Sequence, residues 1–173
     1  LGYIQSFTNT YGPSSRLASL LAELEGLPGL AGASVGTRPD CVDEEKLDYL
    51  ASLGVKVIYL SPIFEAYSNH KYDTGDYMTV DGGFGGEAAL DYLITKANDY
   101  GMKILLDGVF NHTGDDSRYF NRYGLYPTVG AAQSEDSPYN KWFCFRKFPD
   151  EYESWWGIST LPAVREEHPD YVN

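Results

Sequence analysis

Apolar residues change their spacing several times along the chain, and the changes mark its elements. Leu17, Leu20, Leu21 and Leu24 recur at helical spacing and predict one short helix within residues 17–27. Gly26, Pro28, Gly29, Gly32 and Gly36 break the stretch after it. Leu47, Leu50 and Ala51 form the apolar face of a second helix. Asp40 or Asp43 suits its N-cap, Glu44 and Glu45 suit its positive first turn, and Gly54 stops it. Residues 55–60 read VKVIYL, β-branched and mostly apolar, with Pro62 just beyond, which is the pattern of a buried strand. A long loop is expected from Ser61 to about Gly86. Residues 87–100 predict a third helix, with Leu90, Leu93, Ile94 and Ala97 on one face and Gly101 after it. Residues 102–106 then repeat the buried-strand pattern.

Helix, strand, loop, helix, strand is the order of βα units, so the fold class is α/β with a parallel sheet. In such sheets ligands sit beyond the carboxyl ends of the strands. Two segments occupy that end: the loop after Leu60 and the stretch after Asp107. The second, from about Thr113 to Leu161, is rich in rings and turn residues. A structureless loop of that length is uncommon, so an inserted subdomain is expected. Residues 1–40 hold only five charged side chains (Arg16, Glu23, Glu25, Arg38 and Asp40) and receive no chemical assignment.

Composition narrows the partners. The chain is 43% hydrophobic and 22% charged, as a globular domain is. Thirteen Lys and Arg against 25 Asp and Glu leave a net charge of −12, which argues against nucleic acid and against an anionic membrane surface. No uncharged apolar run approaches the roughly 18 residues that span a bilayer. Fifteen Tyr, eight Phe and three Trp make 15% of the chain. So many rings in an acidic chain suit neutral polar ligands with apolar faces, of which sugars are the obvious class; they equally suit a core. Cys41 and Cys144 form no CxxC pair and read as thiols, which favours a reducing compartment. No signal peptide is visible, and a chain that starts at Leu1 looks like a piece of something longer.

Two stretches carry candidate chemistry. In Asp107-Gly108-Val109-Phe110-Asn111-His112 a carboxylate ends a buried strand, and an amide and an imidazole come after it. Gly108 lets another group approach closely. In Ser68-Asn69-His70-Lys71-Tyr72-Asp73-Thr74-Gly75-Asp76-Tyr77 a strand-end loop offers a ring to stack on and several hydrogen-bonding groups. The bland alternatives are a turn-capping Asp, a satisfied core His and a polar turn. His70, His112 and Asp107 also make a conceivable facial metal triad. No HExxH, GxGxxG or GxxxxGK[ST] occurs, so the usual zinc-protease and nucleotide signatures are missing.

Together these stretches resemble the alpha-amylase family of glycoside hydrolases, family 13. Asp107 to His112 is similar to that family's Asp-x-x-x-Asn-His region at the end of the third barrel strand, and Ile58 to Phe64 to its second strand. SNHKYDTGDY, residues 68–77, resembles the loop of the neopullulanase, cyclomaltodextrinase and maltogenic-amylase branch. Trp156-Gly157 and Leu161-Pro162 look like the end of the family's domain B. The resemblance runs from about residue 43 to 173.

It implies a (β/α)8 TIM barrel with domain B inserted after the third strand, and retaining cleavage of α-glucosidic bonds in starch-like glucans such as maltooligosaccharides, cyclodextrins and pullulan. Asp107 and His112 would hydrogen-bond the sugar at the cleavage point, Tyr72 would stack on it, and His70 would line the pocket. Asn111 matches a position that holds structural calcium in many members; no cofactor is otherwise required. The implied organisation is a lead-in over residues 1–40, part of the barrel over 41–112 and a truncated domain B over 113–173. Retaining glycosidases use two carboxylates about 5–5.5 Å apart. By the family pattern both fall beyond Asn173, so the 173 residues alone are expected to be inactive and to expose apolar surface. Asp81-Gly82-Gly83 and Leu161-Pro162-Ala163 depart from the family's usual residues. A sugar-binding protein without catalysis and an inert remnant stand as the alternatives.

Overall fold

The computed structural model describes residues 2–4, 8–25, 27–30 and 33–172. Its strands and helices are, in order, β1 (Gly2–Ile4), α1 (Ser14–Glu25), β2 (Ala33–Val35), α2 (Glu44–Ser52), β3 (Val57–Leu60), β4 (Phe64–Ala66), β5 (Thr74–Val80), α3 (Gly86–Asp99), β6 (Lys103–Leu106), β7 (Phe145–Lys147), β8 (Glu151–Tyr152) and α4 (Pro169–Val172). They fall into two compact units. Leu1–Ile63 with Val80–Asp107 form the first; Phe64–Thr79 with Gly108–Asn173 form the second.

The first unit is built from βα repeats. Asp43 caps α2 by accepting from the Lys46 amide at 3.0 Å. Gly54, at φ 79°, ends the same helix. Its amide donates to the Ala51 carbonyl at 2.9 Å while the Val55 amide reaches the Leu50 carbonyl at 3.1 Å. This is the Schellman pattern. It recurs after α3, where Gly101 sits at φ 69°, its amide bonds Asn98 at 2.9 Å and Met102 bonds Ala97 at 2.8 Å. Both helices therefore hand the chain to a strand in the same way. Those strands, β3 and β6, pair in parallel with Val57 opposite Lys103 and Leu60 opposite Leu106. The double bond at the helix end also explains why β3 starts at Val57 rather than Val55.

Alternation along β3 turns Ile58 and Leu60 inward, where they meet Leu47, Ile63, Leu93, Ala97 and Met102 in the unit's core. The opposite face is open. Val57, Tyr59 and Leu105 are each at least half exposed. A strand pattern that expects cover on both faces thus has cover on one. Strands β1 and β2 form a second parallel pair, Gly2 opposite Ala33. The glycine-rich stretch was expected only to break structure, but a three-residue strand is too short to leave a periodic signal. All the named sheets are two-stranded, and no closed barrel forms among the described residues. None of the described helices is long and apolar enough to cross a membrane.

The second unit is held by rings. Phe120 is fully buried, with Phe143, Phe145 and Tyr152 at centroid distances of 4.9, 5.8 and 4.7 Å. Asn121, also buried, donates its side-chain amide to the carbonyls of Tyr126 at 3.0 Å and Thr128 at 2.7 Å, closing the turns between them. Gly130 is required there: a Cβ would stand 2.5 Å from the Phe120 carbonyl oxygen. The expected loop over residues 61–86 is corrected, because it contains β4 and β5, which pair with each other. Its polar, glycine-bearing sequence hides a strand whose partners are backbone groups and buried polar side chains.

Candidate functional site

Three of the stretches singled out in the sequence meet in the second unit. His112 bridges Ala163 in antiparallel fashion, the Val164 amide donates to the Asn111 carbonyl at 3.0 Å, and Thr113 donates to Pro162 at 3.2 Å. The loop of residues 68–77 joins from the other side: Gly114 donates to the Thr74 carbonyl at 3.0 Å and Arg118 to Gly75 at 2.9 Å. Two tyrosines pin the backbone before His112. The Tyr77 hydroxyl donates to the Val109 carbonyl at 2.5 Å, and the Tyr171 hydroxyl to Phe110 at 2.7 Å. Burial keeps the Tyr77 and Tyr119 phenols above their ordinary range, so both act as fixed donors.

His112 is 3% exposed, and its imidazole stacks on the Trp155 ring at 4.9 Å. Burial pushes its pKa down against the smaller upward pull of the Tyr72 carbonyl and the Asp73 carboxylate. That carbonyl is near enough to bias titration but does not reach hydrogen-bond geometry: neither ring nitrogen has a partner among the described residues. A neutral imidazole carries one donor and one acceptor. Leaving both unmet in a buried position is rare in native proteins and calls for a partner.

His70 and Tyr72 lie side by side, ring centroids 5.9 Å apart. Lys71 between them takes φ 63° and turns inward, its buried ammonium donating to the Ala66 carbonyl at 2.9 Å. Its neighbours His70 and Tyr72 therefore stand at the surface. Nδ1 of His70 accepts from the Tyr72 amide at 3.2 Å, which places the proton of a neutral ring on Nε2. Asp73 anchors the turn by accepting from the Ser68 amide at 2.9 Å and from its hydroxyl.

Four of the five expected site residues (His70, Tyr72, Asn111 and His112) thus belong to the second unit. Asp107 belongs to the first, one residue past β6, with its amide donating to the Leu60 carbonyl at 3.0 Å. Trp155 was missed, although the run Trp155-Trp156 beside the quoted Gly157 held the signal. Calcium would need six to eight oxygen ligands. Among the described residues no three His, Cys, Asp or Glu side chains converge as a metal site. His70, His112 and Asp107 are not brought together as such a group.

The chain matches the alpha-amylase catalytic domain over residues 41–168. It belongs to the alpha-amylase family of glycoside hydrolases. An amylopullulanase of Thermoanaerobacterium thermosulfurigenes is 47% identical over 150 residues, covering 81% of this chain and 8% of that protein. A cyclomaltodextrinase of Geobacillus thermopakistaniensis (strain MAS1) is 38% identical over 135 residues, 73% of this chain and 21% of that one. Among solved structures, the type III pullulan hydrolase from Thermococcus kodakarensis superposes with a TM-score of 0.65 at 35% identity, covering 80% of this chain and 24% of its own. The chain spans a small part of each of these relatives.

Proposed function

We propose that these residues form the sugar-gripping part of a retaining α-glucan hydrolase acting on starch-like oligosaccharides. Residues 41–112 would be part of its (β/α)8 barrel, and 113–173 its domain B. The observation that carries this reading is the buried, unpartnered imidazole of His112, set among three family-like stretches within the matched region. A sugar hydroxyl supplies the donor and acceptor this ring lacks, and Tyr72 offers a half-exposed ring for an apolar sugar face. Asp107 would take a further hydroxyl. Because burial keeps His112 neutral, it would bind without adding positive charge beside the oxocarbenium-like transition state. These groups would act by positioning the ring. The nucleophile and the acid/base would come from chain outside the 173 residues, within a longer protein of the relatives' size. Calcium at Asn111 would need further oxygen ligands beside its side-chain amide.

The test is turnover of maltoheptaose by the protein that contains this chain together with its downstream sequence. Asp107→Ala and His112→Ala should each lower kcat/KM by about a hundredfold, the size of losing a charge-assisted or buried sugar contact. Near-normal turnover in both would reject the assignment. Sugar binding with no release by the longer protein would favour the non-catalytic alternative.

A further inference from the structure

We infer that Trp156 is a second sugar-stacking platform, separate from the sugar that Tyr72 and His112 would hold, and that its ligand is a more distant glucosyl unit of the same α-glucan. The inference rests on the proposed α-glucan function and extends it to chain length.

Trp156 is 84% exposed, an unusual state for the largest apolar side chain. Its backbone sits at φ 50°, ψ 25°, the left-handed region that bulky residues avoid. Such outliers persist where the surrounding structure over-determines them, and they cluster at ligand clamps. Here the strained backbone accompanies a flat stack: the Trp156 ring lies on Trp155 at 4.4 Å with 7° between planes. Trp155 in turn stacks on His112 at 4.9 Å and 27°. Three rings therefore form a column from the buried, unpartnered imidazole to an open indole face. Gly157 comes next at φ 78° and has no side chain to cover that face.

The exposed face is flat, apolar and the size of one ring. It matches the C–H face of a pyranose, which lets the sugar's hydroxyls stay in water. A net charge of −12 disfavours anionic polymers. A sugar on the outer face lies three stacking steps from the imidazole, hence beyond the unit that His112 touches. The platform should therefore matter for long glucans and not for short ones.

The test compares the unaltered chain, Trp156→Ala and Trp156→Phe by calorimetric titration with maltose, maltoheptaose and the β-linked control cellohexaose. Trp156→Ala should weaken maltoheptaose by about tenfold, the loss of one ring stack, and leave maltose unchanged. Trp156→Phe, which keeps a ring, should recover most of the loss. Independently, maltoheptaose should shield the unaltered chain's tryptophan fluorescence from iodide. Equal maltoheptaose binding by the unaltered chain and Trp156→Ala, or no shielding, overturns the platform and leaves the α-glucan reading standing. No glucan binding by the unaltered chain also overturns the platform, while the α-glucan reading stands or falls by turnover in the longer protein.

Discussion

Replacing Arg118 by Met tests what holds the second unit in shape. Its guanidinium reaches Asp76 at 2.7 Å, and Asp76 is 5% exposed. The carboxylate also accepts from the Met78 amide at 2.9 Å, the Tyr119 hydroxyl at 3.2 Å and the Thr79 hydroxyl at 3.3 Å. This cluster ties β5, which continues from the His70–Tyr72 turn, to the segment after His112. Breaking a buried pair by removing one partner costs about 3–5 kcal/mol. Two features reduce that here: the Arg118 side chain is 31% exposed, and three donors remain on Asp76. We therefore expect about 2–3 kcal/mol. For a chain of this size that lowers Tm by about 4–12 °C. The assay is thermal melting followed by near-ultraviolet circular dichroism, to which the second unit's rings contribute. Nε of Arg118 is itself buried and has no partner among the described residues, so the native pair is imperfect. Adding Asp76→Asn to Arg118→Met should then restore more than half of the loss. A single variant within about 0.5 kcal/mol of the unaltered protein, below the usual cost of an uncompensated buried charge, would refute the reasoning.

The packing and the titration lead to three further outcomes. Gly130→Ala places a Cβ 2.3 Å from the Asn121 Cβ and 2.5 Å from the Phe120 carbonyl oxygen, and should cost about 1–3 kcal/mol in urea unfolding; an unchanged midpoint would contradict the close approach. Phe120→Ala empties the centre of the ring cluster and should cost about 3–5 kcal/mol; a loss under 1 kcal/mol in the same assay would show that the rings do not share one core. His112 binds protons less readily folded than unfolded, so its contribution to stability is full above its ordinary pKa of about 6.5 and falls as pH drops through and below that value. Between pH 7 and pH 5 the unaltered protein should lose more Tm than His112→Gln; parallel curves would contradict a depressed value.

How much of this was legible differed between the two units. In the first, helix faces and strand runs lie in register with capping residues, and Asp43, Gly54 and Gly101 sit where the structure uses them. Local chemistry and periodicity agree there, so pattern reading succeeds. The second unit takes its shape from long-range contacts between rings and from buried polar groups such as Asn121 and Asp76, which carry no period. Strand β5 alternates no hydrophobic face, because Thr74, Gly75 and Asp76 are buried through hydrogen bonds rather than apolar packing. The site divided along the same line. Asp107, Tyr72 and His112 stood out as motif residues, whereas the Trp155 ring against His112 depends on the bridge between His112 and Ala163 that folding creates.

The most direct measurement is the imidazole resonances of His112 during titration with maltoheptaose. The chain has three histidines, so single replacements assign each signal. If His112 grips a sugar hydroxyl, its ring nitrogen shifts move in step with saturation, Tyr72→Ala weakens the response, and cellohexaose produces none. If maltoheptaose binds while the His112 signals stay fixed, or if they move equally with cellohexaose, His112 does not hold the glucan and the central claim fails.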